Sequence, residues 1–327
     1  MSLQLEAKPK AKAVFVEEKK LYDLVVIGGG PAGLTAAIYA LRARLKTLLI
    51  EKMVLGGLAS TAFQIENYPG FPEGISGMEL CQKMGEQAKR LGLEVLYGNA
   101  LRVRKNNKHR EVEIDGKTLS AKALVIATGS EVAKLGVPGE EEFHGKGVSY
   151  CATCDGPFYK DKNVLVVGGG NAAVEEALFL TRYAQKVAIV HRRDELRADK
   201  ILSERAMSHP KIYFFWHAKV EKITGSKVVT EVLLHDLASE KKLKVPIDGV
   251  FIYAGSKPNS ELAKGLVKLD DKGFILTDEK MKTSAAGIFA AGDVRAKSLR
   301  QIVTAVADGA LAADSARGYV EGLTKNI

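Results

Sequence analysis

Residues 24–52 read LVVIGGGPAGLTAAIYALRARLKTLLIEK. An apolar run enters a glycine turn, an alanine-rich stretch with helical spacing follows, and a second apolar run closes the segment. This order predicts a β-α-β unit. Gly28, Gly30 and Gly33 stand between strand and helix in the spacing G-x-G-x-x-G, with Pro31 and Ala32 inside the loop. In that context the first glycine permits a tight turn, the second lets a pyrophosphate approach, and the third lets helix and sheet pack closely. A phosphate would sit at the helix N-terminus, where unpaired N–H groups and the helix dipole favour negative charge.

The pattern returns 140 positions on, with Gly28 matched by Gly168, as VLVVGGGNAAVEEALFLTRYAQKVAIVHRR at residues 164–193. Gly30 corresponds to Gly170 and Gly33 to Ala173, a small residue accepted at the packing position, with Asn171 and Ala172 between them. The two copies differ where ribose recognition is decided, since Glu51 corresponds to His191. A carboxylate at that point accepts hydrogen bonds from ribose hydroxyls and suits FAD or NAD. His191, Arg192 and Arg193, with Arg197 close behind, offer a cationic cluster whose guanidinium forks match a 2′-phosphate. The second unit is therefore expected to bind NADPH and the first FAD.

Four further segments fit a flavoprotein. Residues 123–130 (ALVIATGS) read as a buried strand ending at Ala127, Thr128 and Gly129, and residues 249–256 (GVFIYAGS) repeat the theme. Residues 287–294 (GIFAAGDV) form another apolar strand ending in Gly292 and Asp293, where the carboxylate could bond a polar chain such as ribitol. Residues 300–320 read as a long helix whose N-terminus could face the pyrimidine edge of a flavin. The expected fold is α/β, with two doubly wound, Rossmann-like nucleotide-binding domains and the NADPH domain inserted into a discontinuous FAD domain. We place a flexible extension at 1–20, the FAD domain at 21–132 and 261–327, and the NADPH domain with the cysteine pair at 133–260. Gly- and Pro-bearing segments at 134–139 and 255–258 serve as connectors.

The composition of the 327 residues, 46% hydrophobic and 27% charged, is that of a globular protein with a substantial core. No apolar run approaches the roughly 20 residues that span a bilayer, and the first 20 residues lack a secretory apolar segment. The expectation is a cytoplasmic protein with no membrane association. The net charge of +9 is dispersed along the chain and no nucleic-acid-binding motif accompanies it, so no nucleic acid partner is expected.

Three cysteines cannot form a disulfide framework, yet Cys151 and Cys154 stand two residues apart in SYCATCDG, residues 149–156. Zinc needs about four ligands, and only Cys81 remains, in a helical-looking stretch where a buried, inert thiol is expected. A permanent disulfide closing so small a loop would remove little unfolded-chain entropy. Redox exchange explains the pair better, because one thiolate can form a mixed disulfide that its neighbour resolves. Asp155 is either the proton donor and acceptor this chemistry requires or a turn residue in Asp155-Gly156-Pro157.

From residue 21 to the C-terminal helix the sequence resembles the low-molecular-weight thioredoxin reductases of bacteria and archaea. The resemblance is carried by CATCDG (151–156), GGGNAAVEEA (168–177), HRRDELRADK (191–200) and GIFAAGDV with Arg300 and Gln301. It implies a homodimer that moves electrons from NADPH through FAD and a disulfide to thioredoxin or a thioredoxin-fold protein. Cys154 would meet the flavin, Cys151 would attack thioredoxin, and Asp155 would act as acid and base. The resemblance also implies rotation of the NADPH domain, because dithiol and nicotinamide need the same flavin face at different times. EKMVLGGL at 51–58, which contains Lys52, Gly56, Gly57 and Leu58, and Asn67 match flavin-contacting loops. After Gly57 the family commonly has Gln-Leu where this chain has Leu58-Ala59. Related flavoproteins draw electrons from ferredoxin or oxidise small dithiols with oxygen, and a flavin redox sensor is a non-enzymatic alternative. Arg192, Arg193 and Arg197 favour NADPH.

Overall fold

The computed structural model describes residues 21–62, 64–106 and 109–325. The proposed extension at 1–20 lies outside them. In chain order come β1 (Leu21–Ile27), α1 (Pro31–Arg42), β2 (Thr47–Glu51), α2 (Gly77–Arg90), β3 (Glu94–Tyr97), β4 (Ala100–Lys105), β5 (Arg110–Ile114) and β6 (Lys117–Ile126). There follow β7 (Ser130–Val132), β8 (Val148–Ser149), α3 (Ala152–Asp155), β9 (Asn163–Val167), α4 (Asn171–Leu180), β10 (Lys186–Val190), α5 (Lys200–Ser208) and β11 (Ile212–Phe215). The chain continues through β12 (Ala218–Gly225), β13 (Val229–Asp236), β14 (Lys242–Pro246), β15 (Gly249–Ile252), β16 (Ser256–Pro258), β17 (Ile288–Ala290) and α6 (Ile302–Lys325).

The chain divides into two compact units. One takes the described residues up to Ser60, Glu66–Gly129 and those from Pro258 onward; the other takes Thr61–Ile65 and Ser130–Lys257. In the first unit, β2, β1, β6 and β17 run parallel, with β3 beyond β2. Strand β6 is long enough to pair with β1 through its second half and antiparallel with β5 through its first. The β4–β5 hairpin thereby covers one face, where Val103, Val112 and Ile114 join Val25, Ile27, Leu48 and Ile50 in a single core. Alpha-helices α1 and α6 pair with each other, and they come so close that a Cβ on Gly309 would stand 2.2 Å from the Ala32 carbonyl oxygen. Helix α2 begins at Ser76, whose hydroxyl accepts the Glu79 N–H at 3.2 Å, and it buries Leu80, Cys81, Met84 and Ala88 along one face.

The second unit has its own parallel sheet in the order β11-β10-β9-β15-β8. Side chains alternate across β9, so Val164 and Val166 face a core with Ala173, Val174, Ala177 and Leu180 of α4. Leu165 and Val167 face the other way, onto Val220, Val232 and Leu234 of the antiparallel β12-β13-β14 sheet. Both faces are covered, as a parallel sheet of continuous apolar strands requires. The two expected Rossmann-like α/β sheets are present, and in each unit an antiparallel β segment, β4–β5 in the first and β12-β13-β14 in the second, packs on one face of the parallel strands. At the chain crossing, the Thr128 hydroxyl donates to Asn259 O at 2.6 Å and the Asn259 amide to Thr128 O at 3.1 Å.

Candidate active site

Cys151 and Cys154 form a disulfide with their Cα atoms 5.3 Å apart. Cys151 caps the N-terminus of α3: its sulfur accepts the Cys154 N–H at 3.2 Å and its carbonyl the Asp155 N–H at 3.1 Å. The chain entering the cap is fixed by Ser149, whose hydroxyl accepts the Cys151 N–H at 3.0 Å. Cys154 is exposed and Cys151 half-buried, so a sulfur of the pair is open to a reaction partner. Asp155 closes the same turn, half-buried.

The nucleotide-type loop of this unit begins at Gly168, whose φ of +147° disfavours an L side chain. Gly170 caps α4, Asn171 opens it, Ala172 is exposed and Ala173 is buried under the loop. Asn171 and Asp199 bond reciprocally, side-chain amide to carboxylate at 2.8 Å and Asp199 N–H to Asn171 Oδ1 at 2.8 Å. The Arg197 N–H donates to Gly169 O at 2.6 Å. These bonds fasten the basic segment to the mouth of the loop. Arg192, Arg193 and Arg197 are exposed there. His191 behaves differently. Its ring lies against Gly169, it is 5% exposed, and burial together with the three arginines pushes its pKa down. It is a neutral wall under the loop, and the positive charge comes from the arginines.

In the first unit Gly28, at φ +104°, lies under the strand end: a Cβ there would stand 2.3 Å from the Ala127 oxygen. Gly30 caps α1 and Pro31 opens it, a position that needs no N–H. A Cβ on Gly33 would stand 1.8 Å from Gly28 O, so only glycine permits this approach of helix to loop. Glu51 is aimed at the loop, accepting the Gly29 N–H on Oε2 at 2.7 Å and the Met53 N–H on Oε1 at 2.9 Å. The Gly56 N–H donates to Gly29 O at 2.8 Å, which brings Gly56 and Gly57 beside Gly30, while Lys52 and Leu58 point outward. Gly292 reaches the same place from the far end of the sequence, since a Cβ on it would stand 2.8 Å from Ala32 Cβ. The Asn67 amide donates to Gln301 Oε1 at 3.2 Å, joining two candidates 234 residues apart. Thr128 and Gly129 follow the end of β6, where the Thr128 hydroxyl donates to Asn259 O and Gly129 O accepts the Asn259 N–H. The Arg300 guanidinium stacks over the Phe274 ring at 4.0 Å.

Asp293 tests whether this cradle suits FAD. Its Oδ1 is buried without a hydrogen-bond partner, the Lys297 ammonium lying 3.9 Å away, and burial pushes its pKa up against the pull of Lys297 and Arg300. An acceptor left open beside the glycine loop is what a ligand hydroxyl would fill. The donors, the glycine cradle and this acceptor fit the group.

Several residues that shape these sites lie outside the candidates named from the sequence. Asp308, 6% exposed on α6, accepts the Gly292 N–H at 3.0 Å, Arg295 Nη1 at 3.0 Å and Lys297 Nζ at 2.9 Å, and so holds the Asp293 turn. Glu140 anchors the residue before Cys151. Glu176 on α4 has a buried Oε2 without a partner, and burial, reinforced by Glu175, pushes its pKa up to about 7. Tyr253 accepts the Ala152 N–H at 2.9 Å. Its position was readable: residues 123–130 and 249–256 align strand for strand, and Tyr253 stands where Ala127 does.

Two glycine-loop sheets with a surface disulfide beside one of them define, by architecture, an α/β disulfide oxidoreductase. Residues 22–309 match the family described as pyridine nucleotide-disulphide oxidoreductase. The thioredoxin reductase of Listeria monocytogenes is 51% identical over 311 residues, covering 95% of this chain and 97% of the relative. That of Bacillus subtilis is 48% identical, covering 95% and 99%. The crystal structure of Lactococcus lactis thioredoxin reductase, in its FR conformation, is 45% identical and superposes with a TM-score of 0.91 over 92% of this chain and 99% of that one. The chain belongs to the pyridine nucleotide-disulphide oxidoreductases and, within them, to the low-molecular-weight thioredoxin reductases.

Proposed function

We propose that this chain reduces the disulfide of thioredoxin with electrons from NADPH, carried by FAD and the Cys151–Cys154 pair. The observation that carries the reading is the seating of the disulfide in the same unit as the arginine-flanked glycine loop, while the carboxylate-ended loop belongs to the other unit. NADPH and FAD, when bound, supply hydride donation and two-electron transfer.

In this reading Gly168, Gly170, Asn171, Ala172 and Ala173 cradle the NADPH pyrophosphate, and Arg192, Arg193 and Arg197 take the 2′-phosphate. Gly28, Gly30, Pro31, Ala32, Gly33, Glu51 and Asp293 hold FAD, with Asn67, Thr128 and Gln301 beside them. The reduced Cys151 thiolate attacks a partner sulfur and breaks the partner's S–S bond, which gives a mixed disulfide. Cys154 then attacks Cys151, re-forms the internal disulfide and releases the partner as a dithiol. Two protons accompany the two electrons, and Asp155 relays a proton at the Cys154 end of the helix. The reading also takes the chain as a cytoplasmic homodimer. No helix among the described residues is long and apolar enough to cross a membrane.

Anaerobic titration of the flavin-loaded enzyme with NADPH tests the electron path. The expected result is uptake of two equivalents per chain by wild type, one for flavin and one for the disulfide, and of one by Cys151→Ser. A flavin that NADPH fails to bleach would contradict it and point to a different donor such as ferredoxin.

A further inference from the structure

Tyr253 follows β15 as Ala127 follows β6 in the other unit, and its main chain does the same work. Its N–H donates to Val167 O at 2.8 Å, and its carbonyl lies under the glycine loop, 2.6 Å from where a Cβ on Gly168 would stand. The side chain runs away from the loop. It packs against the core that contains Ala152, Ala177 and Phe251, and its hydroxyl accepts the Ala152 N–H at 2.9 Å. Ala152 is the first residue of α3, directly after Cys151. One residue therefore joins the nucleotide-type loop, through its main chain, to the redox helix, through its side chain, within a single unit.

Two other N–H groups at this end of the helix bond within it: that of Cys154 goes to Cys151 Sγ and that of Asp155 to Cys151 O. Ala152 is fully buried, so the Tyr253 oxygen is what its N–H has in place of water. We propose that Tyr253 is a positioning residue for the Cys151–Cys154 pair: by holding Ala152, it keeps the two sulfurs in disulfide-forming geometry after the S–S bond has opened. The proposal rests on reading the pair as a cycling disulfide. In the oxidised form the S–S bond itself restrains the helix. After two electrons and two protons have been taken up, one of each per sulfur, that restraint is gone and the Tyr253 hydroxyl remains. The hydroxyl exchanges no electrons and keeps its proton, since burial and the Glu176 carboxyl push its ionisation upward.

Phenylalanine at this position keeps the ring and removes only the acceptor. The loosened helix start lowers the effective concentration of one thiol at the other and disfavours the disulfide. The test equilibrates full-length, flavin-loaded protein in glutathione redox buffers and reads the disulfide fraction by thiol alkylation and mass. Tyr253→Phe is expected to lower the dithiol-to-disulfide equilibrium constant about five-fold, which at about 30 mV per tenfold is a potential roughly 20 mV less negative. Tm and flavin absorbance should stay close to wild type, whereas Tyr253→Leu should give the same shift with a lower Tm. An unchanged constant in Tyr253→Phe, or a shift confined to Tyr253→Leu, overturns the proposal. In wild type the Ala152 amide should exchange slowly with solvent in both redox states, and fast exchange in the reduced protein overturns it as well. A wild-type pair that fails to cycle overturns the electron-carrying reading and this proposal with it; a cycling pair insensitive to Tyr253→Phe overturns the proposal alone.

Discussion

Oε1 of Glu140 accepts the Tyr150 hydroxyl at 2.8 Å, tying the turn that opens the second unit to the residue immediately before Cys151. Glu140 is 1% exposed and also accepts the N–H groups of Leu135 at 2.9 Å and Gly136 at 2.6 Å. Burial and this bond together push the Tyr150 pKa up, so the phenol stays a donor. A buried carboxylate is tolerated here because three donors meet it.

Glu140→Ala leaves those three donors without their acceptor and should destabilise the second unit by roughly 3 kcal/mol. Trp216, the single tryptophan, lies in that unit and reports its unfolding in urea by fluorescence. Glu140→Gln, which retains one oxygen, should lose about half as much. A midpoint unchanged in Glu140→Ala would remove the buried carboxylate from the account.

The arginine cluster should discriminate phosphate from hydroxyl. Replacing Arg192 and Arg193 together with alanine should raise KM for NADPH at least about ten-fold and leave KM for NADH nearly unchanged, with kcat for either preserved. Steady-state kinetics with both nucleotides decides. Equal losses for NADPH and NADH would mean that these side chains do not read the 2′-phosphate.

Glu176 makes the stability of the second unit depend on pH. Its carboxyl in the folded chain titrates at about 7, above the ordinary 4.5, so the folded state holds the proton more tightly than the unfolded one. The stabilisation is complete below pH about 4.5, falls as pH rises towards 7, and is flat above that. Glu176→Gln, neutral at every pH, should unfold at a higher urea concentration than wild type at pH 8, by up to roughly 3 kcal/mol, and gain much less at pH 4.5. A gain independent of pH would show that the carboxyl is not the cause.

The glycine loops, their two strands and the cysteine pair were legible in the sequence because each is a local pattern: residue spacing sets the turn, and apolar runs set the strands. Glu51 facing Gly29 and Arg197 bonded to Gly169 follow from the same short-range logic. Residues that act over long separations were not legible. Asp308 holds Gly292 from a helix that read only as long, and Glu140 is one acid among three in Glu140-Glu141-Glu142. His191 stood in a basic run, and only burial against Gly169 separates its neutral ring from the arginines. The β12-β13-β14 cover of the second sheet escaped notice because strand alternation names a buried face without naming what buries it.

Thioredoxin-dependent NADPH oxidation by wild type and by Cys154→Ser is the most direct measurement of the central claim, that the disulfide is the exit for the electrons. Wild type should turn over with thioredoxin or a thioredoxin-fold protein, and Cys154→Ser should lose at least about a thousand-fold while keeping its flavin. Turnover retained by the variant, or absent from wild type with every thioredoxin-fold partner offered, would contradict the account.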